Sequence, residues 1–161
     1  MSNSNQAPRE FINLHLSGLG YLNRVREVSV KKGNNFFACT IKAMFGEKNV
    51  DGGIQYLPVD SKATSSQAES ILREYMGQAN SDDYQVMVAF NVGDPYIETF
   101  KYDKGAKAGE VGTTLKGRLI LITRVFVKDL RAGQNAKSEM VYEYKPEAKD
   151  ESESARTGTN G

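Results

Sequence analysis

Between residues 11 and 45 apolar and polar residues alternate with a period of two, and no other stretch restricts the fold as strongly. Leu14 and Leu16 carry the alternation in the first half, and Phe37, Cys39 and Ile41 in the second. A period of two is what a β-strand with one face in a core requires, because successive side chains point to opposite sides. The spacing predicts a long bent strand, a turn at Gly33-Asn34-Asn35 and a second strand. Gly18-Leu19-Gly20 interrupts the first strand and is expected to bulge or bend it. Basic residues follow at once: Arg24, Arg26, Lys31 and Lys32. A strand that curls over a small core, with cations and rings on its outside, suits a small barrel that grips an extended polyanion.

The remaining segments supply further strands and one helix. Asp51-Gly52-Gly53 is strong turn chemistry and closes a loop over 46–53. A short third strand is expected over Ile54–Val59, with Leu57 and Val59 inward and Pro58 marking an edge or bulge. Residues 64–78 predict a helix: Thr64, Ser65 or Ser66 can cap it, with Glu69 placed for a capping box. Its apolar face is Ala68, Ile71, Leu72, Tyr75 and Met76, spaced by three and four. Tyr84–Val92 predicts a fourth strand with Val86, Val88 and Phe90 on one face. Gly93-Asp94-Pro95 then predicts a turn, and Tyr96–Tyr102 a strand that pairs back as a projecting arm.

Residues 103–114 are expected to form a flexible loop. Leu115–Asp129 predicts the fifth and longest strand. Leu119, Leu121, Thr123, Val125 and Val127 would line one side of it, and Lys116, Arg118, Ile120, Ile122, Arg124, Phe126 and Lys128 the other. Met140–Lys145 can add a short sixth strand.

Three strands, a helix and two more strands is the order of an OB-fold, a partly open five-stranded Greek-key barrel. The fold class expected is therefore mainly β, with one helix between strands 3 and 4 and a projecting β-arm. A flattened αβ sandwich is the structural competitor, although one helix covers a five-stranded sheet poorly. Residues 10–145 form the expected domain. They lie between a polar segment, 1–9, and an acidic tail, 146–161, both expected to be disordered.

Charge and composition exclude more than they select. The net charge is +1. Glu147, Asp150, Glu151 and Glu153 against Lys149 and Arg156 put −2 on the tail, which leaves the rest at +3 (+1 less −2). Cys39 is the one cysteine; in an apolar strand pattern it reads as a buried, inert thiol. No stretch approaches the ~20 apolar residues of a membrane span, and the polar start lacks an apolar signal core. A cytoplasmic protein, not bound to membranes, is expected.

Enzyme signatures are weak. One histidine, His15, and one cysteine do not make a metal site, and no nucleophile-base pair can be built around His15. Gly105, Gly109, Gly112 and Gly117 lack the lysine spacing of a phosphate loop. Asp82-Asp83 needs no role beyond solvation. No catalytic residue, metal or cofactor is expected.

The positive signal is aromatic residues interleaved with cations, the chemistry that holds single-stranded nucleic acid by stacking and phosphate contact. The expected platform is the outer face of strands two, three and five. Arg24, Arg26, Lys42, Arg118, Arg124 and Lys128 would contact phosphate. Phe36, Tyr56, Tyr96 and Phe126 would stack on bases. Lysine or arginine on an outer strand face is ordinarily solvation or edge protection, so the combination carries the reading. A protein–protein adaptor on the same fold is the alternative, with Tyr96–Tyr102, Ile120 and Ile122 as its interface.

INLHLSGLGYLNRVREV, FFACTIKAMFG and LKGRLILITRVFV resemble segments of bacterial single-stranded DNA-binding proteins. More closely, the chain is similar to a replication-protein family of integrative and conjugative elements, over about residues 11–130. The resemblance implies an OB-fold that coats single-stranded DNA during replication or conjugative transfer of a mobile element. It also implies a homo-oligomer, dimer or tetramer, with replication or transfer proteins as further partners. Two departures stand out. The sequence has no tryptophan, so tyrosine and phenylalanine must do the stacking. The acidic tail ends Gly158-Thr159-Asn160-Gly161 instead of in the Pro-Phe tip through which those proteins recruit partners.

Overall fold

A computed structural model describes residues 7–146. The expectation of an acidic, disordered tail falls almost wholly outside the described residues. The elements are β1 (His15–Val28), β2 (Phe36–Gly46), β3 (Ile54–Ala63), α1 (Ser66–Ala79), β4 (Tyr84–Lys101), β5 (Val111–Asp129) and β6 (Ser138–Glu143), with a 3₁₀ segment over Leu130–Asn135. The protein is mainly β with one helix between β3 and β4.

The strands form one sheet in the order β3-β2-β1-β4-β5-β6, antiparallel throughout. A further parallel pairing joins β3 to β5, from Val59↔Leu115 to Ala63↔Leu119. The bonding therefore runs as a ring through β1, β2, β3, β5 and β4, with β6 added outside it. Inside lie Leu22, Ile41, Val59, Val88, Val92, Leu119, Ile122 and Val125, all at most 2% exposed.

Burying the apolar stripe of α1 closes one end of this ring. Ala68, Ile71, Leu72, Tyr75 and Ala79 are buried, and the helix touches all five ring strands. Ser65 is the N-cap, its Oγ accepting from Ala68 N at 3.1 Å. Glu69 lies one position too far on for a capping box and pairs with Arg73 instead. The helix joins the end of β3 to the start of β4. The β2–β3 turn, the β4–β5 loop and the start of β1 all lie at the opposite end of the ring, as the antiparallel pairings require.

Several expectations are corrected by backbone irregularities. Gly18-Leu19-Gly20 runs in regular register against β4, and Gly20 also pairs in register with Ala43 of β2; the irregularity in β1 falls between Asn23 and Arg26, where Arg24 has φ 49°. Gly93-Asp94-Pro95 is not a turn but a bulge inside an uninterrupted β4, with Asp94 at φ 51°. β5 begins at Val111, within the expected loop.

Two more bulges in β5, around Ile120 and Thr123, break the strict alternation. They turn Ile122 into the core, fully buried, and exclude it from any interface. Leu57 has inward parity but is 40% exposed, because residues 54–58 pair with β2 alone and nothing lies across from them. Leu14 precedes β1 and is also exposed. Among the described residues no helix is long and apolar enough to cross a membrane.

Candidate nucleic-acid interface

Registers decide which outward side chains are neighbours. One row crosses all six strands: Pro58, Lys42, Tyr21, Met87, Phe126 and Met140. With strands about 4.8 Å apart, the row spans about 24 Å. Arg124 flanks it in the row Leu19, Ala89, Arg124, Glu143; Lys128 flanks it on the other side, between Gln85 and Ser138. Lys42, Arg124, Phe126 and Lys128, expected on one platform, are thus brought onto one continuous face.

At the Lys42 end the row opens into a cleft of about 810 Å³. The cleft exists because β1 parts from β4 beyond Tyr21↔Met87. The freed backbone of Val25 is satisfied by Asn80, the residue that caps the end of α1. Val25 N donates to Asn80 Oδ1 at 2.9 Å, and Asn80 Nδ2 donates to Val25 O at 2.8 Å. Leu22, Val25 and Val86 help to line the cleft, as do Tyr21, Tyr56, Arg24, Arg26 and Lys42.

Tyr21 and Tyr56 have ring centroids 6.0 Å apart at an interplanar angle of 40°. Tyr56 is half exposed. Partial burial, with Tyr56 beside it, raises the Tyr21 phenol above its ordinary range, so it stays neutral at physiological pH. Two rings beside Lys42 and Arg24 offer faces for stacking and charges for phosphate.

The other expected residues are distributed differently. Arg26 lines the cleft but is committed to Asp60 at 3.1 Å and to the Arg24 carbonyl at 3.0 Å. Phe36 shares the outer parity of Lys42, and the Lys62 ammonium sits over its ring at 4.2 Å. Tyr96 and Arg118 belong to rows near the β3–β5 pairing. Arg118 donates to Asp94 at 2.8 Å, and Tyr96 lies opposite Lys116, which pairs with Glu98. The hydrogen bond from Lys116 to Glu98 raises the lysine's pKa and keeps it charged.

Tyr21, Met87 and Met140 were not among the sequence candidates. The first was legible, because Leu16, Gly20 and Leu22 face inward and parity sets Tyr21 outward. Met87 and Met140 join the row only through register.

Among the described residues no group of three His, Cys, Asp or Glu side chains could hold a metal ion. Cys39 is fully buried, and burial, with Asp60 nearby, pushes its thiol up to about 12.

No curated protein matches the chain. A family model described as a protein of unknown function (DUF3577) matches residues 5–143, most of the chain, and the chain belongs to that family.

Proposed function

We propose that this is an OB-fold protein that binds single-stranded DNA with little sequence preference, acts without catalysing a reaction, and coats DNA during replication or conjugative transfer of a mobile element. The observation that carries the reading is the continuous outward row Lys42–Tyr21–Met87–Phe126, flanked by Arg24, Arg124 and Lys128 and ending in the paired rings of Tyr21 and Tyr56. Stacking on rings is indifferent to base identity, and cations follow the backbone. The ring of five strands closed at one end by a helix between β3 and β4 supports the OB-fold. The mobile-element setting and self-association rest on the sequence resemblance.

The test is fluorescence anisotropy of a labelled oligo-dT of about 30 nucleotides, with duplex DNA as control. Tight single-strand binding that weakens with salt, and weak duplex binding, are expected. Tyr21→Ala and Tyr56→Ala should each lose about 1–3 kcal/mol, roughly 5- to 150-fold in affinity. Absence of binding at low salt overturns the reading.

An adaptor role has its own support in the arm, where Ile97 is 72% and Val111 64% exposed. It cannot use Ile122, which is in the core.

A further inference from the structure

Among the described residues, nothing covers the end of the ring opposite α1. There the inward-facing parity of the strands continues past the core, with nothing across from it. Phe45 on β2, Leu57 on β3, Ile97 on β4 and Val111 on β5 are 53%, 40%, 72% and 64% exposed. Beyond the bulge at Asp94-Pro95, β4 pairs only with β5, from Tyr96↔Lys116 to Lys101↔Val111. Among the described residues, the other edge of 96–101 is an unpaired row of backbone donors and acceptors, the kind of edge that recruits another strand.

The segment leading into β1 lies beside it outside any strand, and in it Ile12 and Leu14 recur in the β period. Phe11 is 73%, Ile12 103% and Leu14 63% exposed. Its one backbone hydrogen bond to the ring, among the described residues, is from Asp94 N to Leu14 O at 2.9 Å.

The segment does not continue along its own arm. Asp94 at φ 51° turns β4 aside, and Pro95 has no N–H to offer. The β1–β4 register ends at His15↔Gly93, where the bulge begins. A second chain does not have to follow that bend.

We infer that residues 11–14 of one copy add as a strand to the open 96–101 edge of a second copy, and that the second copy returns the same contact. Each copy carries both halves of the contact, so two copies related by a two-fold axis satisfy each other without leaving an open end. Main-chain hydrogen bonds fix the added strand. Ile12 and Ile97, each useless in isolation, leave water together, and Phe45 and Leu57 extend the apolar surface at the same end. This surface is separate from the Lys42–Phe126 row, so the contact does not depend on what that row binds.

Light scattering after size exclusion, over about 1–100 µM protein, tests the inference. The wild-type chain is expected to elute as a dimer, and I12D and I97D, both at exposed positions, as monomers. Mixing the two variants provides the diagnostic arm. I12D retains a sound arm and I97D a sound segment, so a mixed pair keeps one of two contacts and should reappear as a heterodimer, weaker than wild type. A monomeric wild type overturns the inference, and so do variants that remain dimeric. Variants that are monomeric alone and fail to complement each other overturn it as well, because a merely apolar patch would behave that way.

Discussion

A Cβ added at Gly20 would sit 2.6 Å from Ile41 Cγ2 and 2.7 Å from the Lys42 carbonyl oxygen. The glycine is there so that β1 and β2 can approach, not so that β1 can bend. Gly20→Ala should therefore cost about 1–3 kcal/mol, read as a lower urea midpoint at unchanged slope. Gly18→Ala is the control: its Cβ would meet only Phe90 at 3.8 Å and should be tolerated. Sequence reading found the Gly-Leu-Gly but could not say which service it performs, because strained φ and close approach both select against a Cβ. The real irregularity sits at Arg24, a residue type that gives no such signal. Cys39 was legible, since an apolar β alternation on both sides buries the thiol. With its thiol pushed up to about 12, it should not react with a thiol reagent at pH 8 until the protein unfolds. The sign follows from linkage. The folded state holds this proton more tightly than the unfolded one, so its contribution to stability is complete below pH 9 and is lost as pH rises towards 12.

β5 is bonded along one edge first by β3, up to Leu119, and then by β6, from Arg124. The gap between them is filled by the start of α1. Ser65 Oγ donates to Ile120 O at 2.6 Å, Gln67 Nε2 donates to Ile122 O at 2.6 Å, and Ile122 N donates to Gln67 Oε1 at 3.0 Å. Asn80 does for Val25 at the far end of the helix what Gln67 does for Ile122. Two side-chain amides thus stand in for missing strand partners and fasten the helix across the ring. Gln67→Ala and Asn80→Ala should each cost about 1–3 kcal/mol, because each strands a backbone donor and acceptor, and calorimetry or urea unfolding would read the loss. The apolar stripe of α1 was legible from spacing alone, and so were Val86, Val88 and Phe90 on β4. The fate of Ile122 was not. A single bulge inverts the parity of everything beyond it, and the cause of the bulges, a helix bonding to β5 from another part of the chain, is not local to the sequence of β5.

For the whole molecule, the net charge of +1 conceals a division between free and committed cations. Arg26 and Arg118 are tied to Asp60 and Asp94, and Lys116 to Glu98. No ion pair is formed by Arg24, Lys42, Arg124 or Lys128 among the described residues, and these border the row from the cleft to Phe126. Sequence could list all these cations but not rank them, since their carboxylate partners come from strands remote in the chain. The ranking makes a quantitative claim about binding. Each phosphate neutralised contributes about −0.7 to the slope of log affinity against log salt for a single strand, so four free cations give about −3. Lys42→Gln or Arg124→Gln should reduce that slope by about 0.7 each. Arg118→Gln should leave it nearly unchanged, because a phosphate that takes Arg118 must first displace Asp94, and the exchange of one anion for another releases little. Anisotropy titrations of oligo-dT across a salt series measure all three. A slope that responds to Arg118 as strongly as to Lys42 would move the strand's path from the Lys42–Phe126 row to the β3–β5 side of the ring, where Tyr96 would become the stacking residue.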